Sequence, residues 1–257
     1  QLKCSKESIE VVLEKLLFLP QGGTAVGSGI NAHKRFSKEF SKELSKLTGF
    51  KTKPSKDFFR NLSAQDLSVQ LSGELKNLAT ILLKVSNDLR WMNSGPLSGI
   101  SEIELQALQP GSSIMPGKVN PVIPESVIQA ASQVIACDTA LVQGAQGGYF
   151  ELNTMMPFAA HNLLQAISLL TSSSNVFSSK CIEGLEATER GPDLLMSGLM
   201  LATTLAPVIG YENAAKIAKE AHATGQTVME TALEKTDLSA DELTEILNPE
   251  KMLQPQS

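Results

Sequence analysis

A chain of 257 residues that is 42% hydrophobic and 19% charged, with a mean hydropathy of −0.01, can bury a large core and has the composition of a globular protein. A net charge of −5 argues against a general nucleic-acid surface, and no signal peptide, transit sequence or membrane span is legible. Only 5% of residues are aromatic, so the core must be built from aliphatic side chains, which favours packed helices over a β-sandwich.

The first element is already under way at the start of the sequence. Residues 5–17 place Ile9, Val12, Leu13, Leu16 and Leu17 on one helical stripe, with no methionine and no cap before it, as expected of a fragment. Pro20 and Gly22-Gly23 end this helix. A Gly- and hydroxyl-rich loop follows, Gly23-Thr24-Ala25-Val26-Gly27-Ser28-Gly29-Ile30-Asn31, whose glycines let backbone approach something closely. It is not a dinucleotide fingerprint, because no strand precedes it and no acid follows at the right distance.

A short helix over 34–47, lysine-rich on its outer face, leads into a polar connection around Pro54. Residues 64–92 then read as one long helix, with Leu67, Leu71, Leu75, Leu78, Leu82, Val85 and Leu89 at 3–4 spacing. At ~1.5 Å per residue it spans roughly 40 Å, a length typical of a bundle. Ser94-Gly95-Pro96 stops it. A second long helix over 124–141 has little polar face and is expected to be buried on most sides, against neighbouring subunits among others. A third runs over 158–177.

Beyond residue 183 glycine and proline punctuate shorter helices. The expected architecture is all-α in two domains: a long-helix bundle over 1–183 and a small helical domain over 184–257. Cys4, Cys137 and Cys181 have no metal-ligand spacing, and three scattered thiols fit a reducing compartment rather than a disulfide framework. The expected location is cytoplasmic, or mitochondrial in a eukaryote.

Between the first two long helices lies Gly111-Ser112-Ser113-Ile114-Met115-Pro116-Gly117-Lys118-Val119-Asn120-Pro121. It has no helical or strand periodicity. Its hydroxyls, ammonium, amide and flexible glycines are the equipment for gripping a carboxylate and stabilising a carbanion that delocalises onto it. Glu125, at the start of the next helix, could orient a partner base. Each residue has a plainer use: loop serines satisfy backbone groups, a single lysine is solvated, and an acid in a first turn complements the helix dipole. Their density in one loop is what favours chemistry. The three histidines, His33, His161 and His222, show no metal-ligand spacing, and His161 on its apolar helix reads as a hydrogen-bonded core residue.

The 111–121 stretch resembles, without a break, the signature loop of the fumarase/aspartase superfamily. Gly23-Thr24-Ala25-Val26-Gly27, Asn87-Asp88-Leu89-Arg90-Trp91, Ser94-Gly95-Pro96, Glu151-Leu152-Asn153 and Ile209-Gly210-Tyr211 extend the resemblance across nearly the whole chain. Within the superfamily the class II fumarate hydratases are the nearest likeness, carried by Arg90-Trp91, Phe150 to Asn153, His161-Asn162 and Gly210-Tyr211-Glu212-Asn213. Aspartate ammonia-lyase is the alternative enzyme, and a helical scaffold without catalysis the alternative of another class.

The resemblance implies reversible addition of water to fumarate, giving L-malate, in a homotetramer whose sites are shared between subunits. It implies no metal and no organic cofactor. Ser112 resembles the catalytic base, Ser113, Lys118, Val119 and Asn120 the substrate contacts, and Glu125 the glutamate paired with a catalytic histidine. None of the three histidines matches that partner, which would lie upstream. This stretch alone is therefore expected to be inactive.

Overall fold

The computed structural model describes residues 1–109, 111 and 114–253. The fold is all-α. Eleven α-helices are present among the described residues, and the paired strands are two residues long each. None of these helices is by itself long and apolar enough to cross a membrane.

The chain divides into two compact units. The first comprises Gln1–Trp91 and Leu105–Leu185. It contains α1 (Leu2–Leu16), α2 (Phe36–Thr48), α3 (Phe58–Ser63), α4 (Asp66–Met92), α5 (Val122–Ala145) and α6 (Met156–Phe177), the last ending in a π-helical turn over Ser178–Ile182. The second comprises Met92–Glu104 and the chain from Glu186 onward. A linear boundary near residue 183 does not foresee that Met92–Glu104 belongs there. The reason is pairing: Ile103–Glu104 and Glu186–Ala187 form an antiparallel ladder, and Thr188 Oγ1 donates to the Ser101 carbonyl at 2.6 Å.

In the first unit the 3–4 spacing of α4 becomes a buried stripe of Leu71, Leu75, Ala79, Leu82 and Leu89. α5 offers Val127, Ala131, Val134, Cys137 and Leu141, all but inaccessible, and packs along α6 through a hairpin made by Gly148–Tyr149 and Leu152–Asn153. Asn153 is completely buried and fully used: its Nδ2 donates to the Gly144 and Ala145 carbonyls at 3.2 and 3.3 Å, and its Oδ1 accepts from the Met155 N–H at 2.8 Å. The expectation of burial on most sides of α5 is not met within one chain, since Ser126, Gln129, Ser132, Gln133 and Ala136 are exposed.

Two other expectations change. The connection after Lys51 holds an extra short helix, α3, because Asp57 accepts from the Arg60 N–H at 3.0 Å and caps it. His161 is exposed rather than part of the core. One residue along a helix is a turn of about 100°, and it is Asn162 that faces inward, its Nδ2 donating to the Phe158 carbonyl at 2.9 Å.

In the second unit α7 (Arg190–Met196), α8 (Ala206–Ile209), α9 (Tyr211–Thr224), α10 (Val228–Lys235) and α11 (Ala240–Ile246) surround a core that includes Leu201, Leu205, Ile217, Val228, Leu243 and Leu247. α10 and α11 both open with capping boxes, Thr227 with Glu230 and Ser239 with Glu242.

Candidate active site

Residues 114–121 form turns and irregular backbone that lead into the first turn of α5. Its best-defined feature is the Met115-Pro116-Gly117-Lys118 turn, closed by the Lys118 N–H donating to the Met115 carbonyl at 3.2 Å. Proline suits the second position of such a turn, and the third requires a positive φ, here +78° at Gly117. The Pro-Gly pair therefore determines where Lys118 emerges. The Val122 N–H donates to the Asn120 carbonyl at 2.9 Å, and Pro121 carries the chain into the helix.

Lys118 and Val119 are exposed and Asn120 is half-buried. Among the described residues neither the Lys118 ammonium nor the Asn120 amide makes a side-chain hydrogen bond, so both stand available to a ligand. Ser112 and Ser113 lie outside the described residues. Glu125 follows one turn into α5, where its charge complements the helix N-terminus. Its carboxylate faces Arg90 in the last turn of α4, with 3.7 Å between Arg90 Nη2 and Glu125 Oε1. In the sequence Arg90 stands out only as part of the Asn87 to Trp91 resemblance. Its pairing with Glu125 depends on how α4 lies against α5, for which no local sequence signal exists.

The glycine-rich loop over 23–31 has a structural use. A Cβ on Gly27, whose φ is +105°, would come within 2.6 Å of the Phe59 backbone. The close approach foreseen for these glycines is thus to α3. The remaining histidines are surface residues, His33 accepting from the Arg35 N–H at 3.2 Å and His222 exposed. Among the described residues no group of three His, Cys, Asp or Glu could hold a metal ion.

An all-α bundle thus presents, at the head of one long helix, a loop carrying an exposed lysine and a half-buried amide. A family model described as lyase matches residues 1–136, and a second, described as fumarase C C-terminus, matches residues 201–254. The chain belongs to this lyase family. The relatives it resembles include a class II fumarate hydratase of Pseudomonas aeruginosa, 51% identical over 98% of this chain and 55% of that protein. Another, from Xylella fastidiosa, is 46% identical over 97% of this chain and 53% of its own length. Among solved structures, the recombinant class II fumarase of Schistosoma mansoni superposes with a TM-score of 0.93 at 36% identity, covering 100% of this chain and 57% of that one. The cobalt-bound fumarate lyase:delta crystallin of Brucella melitensis gives 0.93 at 42% identity, over 99% and 55%. The chain spans about half the length of the curated relatives it matches.

Proposed function

We propose that this protein is a fumarate hydratase, adding water reversibly to fumarate to give L-malate, and that residues 111–125 contribute one part of its active site. The observation that carries the reading is the 111–121 loop. Its Pro-Gly turn presents Lys118 and Asn120 unengaged and runs directly into the helix turn bearing Glu125. The identity of the relatives at 51% and 46% supports the same reading.

In the malate-to-fumarate direction Ser112 is the base that takes the C3 proton. The electron pair left behind delocalises onto the adjacent carboxylate, giving an aci-carboxylate dianion. Lys118 and Asn120, with Ser113 and the Val119 backbone, hold the substrate carboxylates and stabilise the growing charge. The C2 hydroxyl then leaves as water with a proton from an acid. Glu125 pairs with a histidine supplied by residues upstream. A serine hydroxyl needs neighbouring cations and N–H groups to act as a base, and the Lys118 ammonium is one such cation. Because the chain carries a net −5, attraction of a dicarboxylate is a local property of this loop.

The assembly belongs to the proposal as well. Leu164, Ile167 and Val176 on α6 are 65, 37 and 42% exposed, and Val11 and Leu13 on α1 are 57 and 47% exposed. Apolar side chains open on two bundle helices support a homotetramer with shared central helices.

Ser112→Ala in the full-length protein tests the function. Malate formation from fumarate should fall by orders of magnitude, and near-normal turnover would remove the serine from the mechanism. Ammonia release from aspartate by the wild-type protein, without fumarate hydration, would replace this reading with an ammonia-lyase. A wild-type protein inactive in both assays would make it a scaffold.

A further inference from the structure

Glu125 is the one proposed site residue with a charged partner recorded among the described residues, and that partner is Arg90. The two lie at facing ends of antiparallel helices. Ser72 and Lys76 near the start of α4 meet Asp138 late in α5, whereas Arg90 at the end of α4 meets Glu125 at the start of α5. Each charge also complements its own helix end, the guanidinium at the C-terminus of α4 and the carboxylate at the N-terminus of α5.

Arg90 is directed toward this contact from its own helix. Its Nη1 donates a long hydrogen bond of 3.4 Å to Asn87 Oδ1, one turn back. Asp88, the nearest acid on α4, is paired with Lys84, which leaves the Arg90 charge to Glu125. At 3.7 Å the Arg90–Glu125 contact is an ion pair without a hydrogen bond, and the side chains are 42 and 37% exposed. Pairs of that kind add little to stability. The contact does act on direction: a cation on one side of a carboxylate fixes which way its oxygens point, and leaves one of them free for another donor.

We propose that Arg90 is a positioning residue of the active site, its guanidinium orienting the Glu125 carboxylate toward the group that Glu125 must hold during turnover. This rests on the hydratase reading, in which that group is an imidazole from upstream. Arg90 does not touch substrate in the proposal. It acts through Glu125 alone.

The experiment uses the full-length protein with Arg90→Gln, Arg90→Lys, Glu125→Gln and the double variant Arg90→Gln/Glu125→Gln. Each is followed by steady-state fumarate hydration and thermal unfolding. Misplacing a catalytic group costs on the order of tenfold to a hundredfold in rate, so Arg90→Gln should lower kcat by about tenfold or more, with KM and the unfolding midpoint little changed. Arg90→Lys should recover much of that loss, since it keeps a cation at the same place. In the Glu125→Gln background the Arg90 substitution should cost nothing further, because residues acting as a unit are not additive. Wild-type kcat in Arg90→Gln overturns the inference, as does an equal loss in both backgrounds. A rise in KM at constant kcat overturns it too, since that places Arg90 on the substrate. A wild-type protein that hydrates no fumarate overturns the hydratase reading first, so the two failures are distinguishable.

Discussion

Lys76 and Asp138 join α4 to α5 with 2.5 Å between Nζ and Oδ2, and the Ser72 hydroxyl donates to the other carboxylate oxygen at 2.8 Å. The Asp138 side chain is only 6% exposed, whereas that of Lys76 is 46% exposed. A buried carboxylate thus has both oxygens satisfied, one of them by a cation that still reaches water. Together with Arg90 and Glu125 farther along, the pair shows that the two long helices run antiparallel.

Lys76→Met should therefore destabilise the first unit by about 1–3 kcal/mol, less than the full loss of a fully buried pair because the ammonium is partly solvated. Urea unfolding checks this. Ser72→Ala should add to the loss, since Asp138 would then keep neither partner. An unchanged midpoint in Lys76→Met would mean that water replaces the ammonium without cost.

The two capping boxes predict an acid dependence of stability in the second unit. Glu230 and Glu242 are held below their ordinary value of 4.5, each first by the backbone N–H of its cap residue and then by that residue's hydroxyl. A carboxyl that ionises more readily when folded contributes stability that is present above the unfolded value and lost as pH falls through the folded one. Unfolding followed from about pH 5 down to about pH 3 should show this loss, and Glu230→Gln/Glu242→Gln should make it shallower. Parallel curves for the two proteins would assign the acid dependence to other carboxylates.

The three thiols should separate by reactivity. Burial pushes Cys181 up to about 11, and Cys137 is buried with its Sγ donating to Gln165 Oε1 at 3.4 Å, while Cys4 is exposed. At about pH 8 a thiol reagent should therefore label one cysteine quickly and the other two only on unfolding. Rapid labelling of all three in the folded protein would show that the α5–α6 region opens readily.

The long helices were legible because each carries an uninterrupted apolar period with clear stops. α4 needed only its leucine spacing, and Ser94-Gly95-Pro96 closed it. Short elements were less legible. α3 depends on a cap at Asp57 and on the space left by Gly27, and neither shows in a periodicity. The exposure of His161 is not legible, because an apolar helix on its own does not reveal which of its faces a single chain buries.

By itself the sequence determined the presence of the long helices, the turn chemistry of Pro116-Gly117 and the family resemblance of the 111–121 loop, because all three are properties of neighbours along the chain. Only the tertiary structure decided that Met92–Glu104 joins the second unit, that Asp138 is shared by Ser72 and Lys76, and that Arg90 faces Glu125. Those contacts join residues far apart in sequence. They exist because two antiparallel helices, or two short strands, pack in one register, and local propensity does not carry that register.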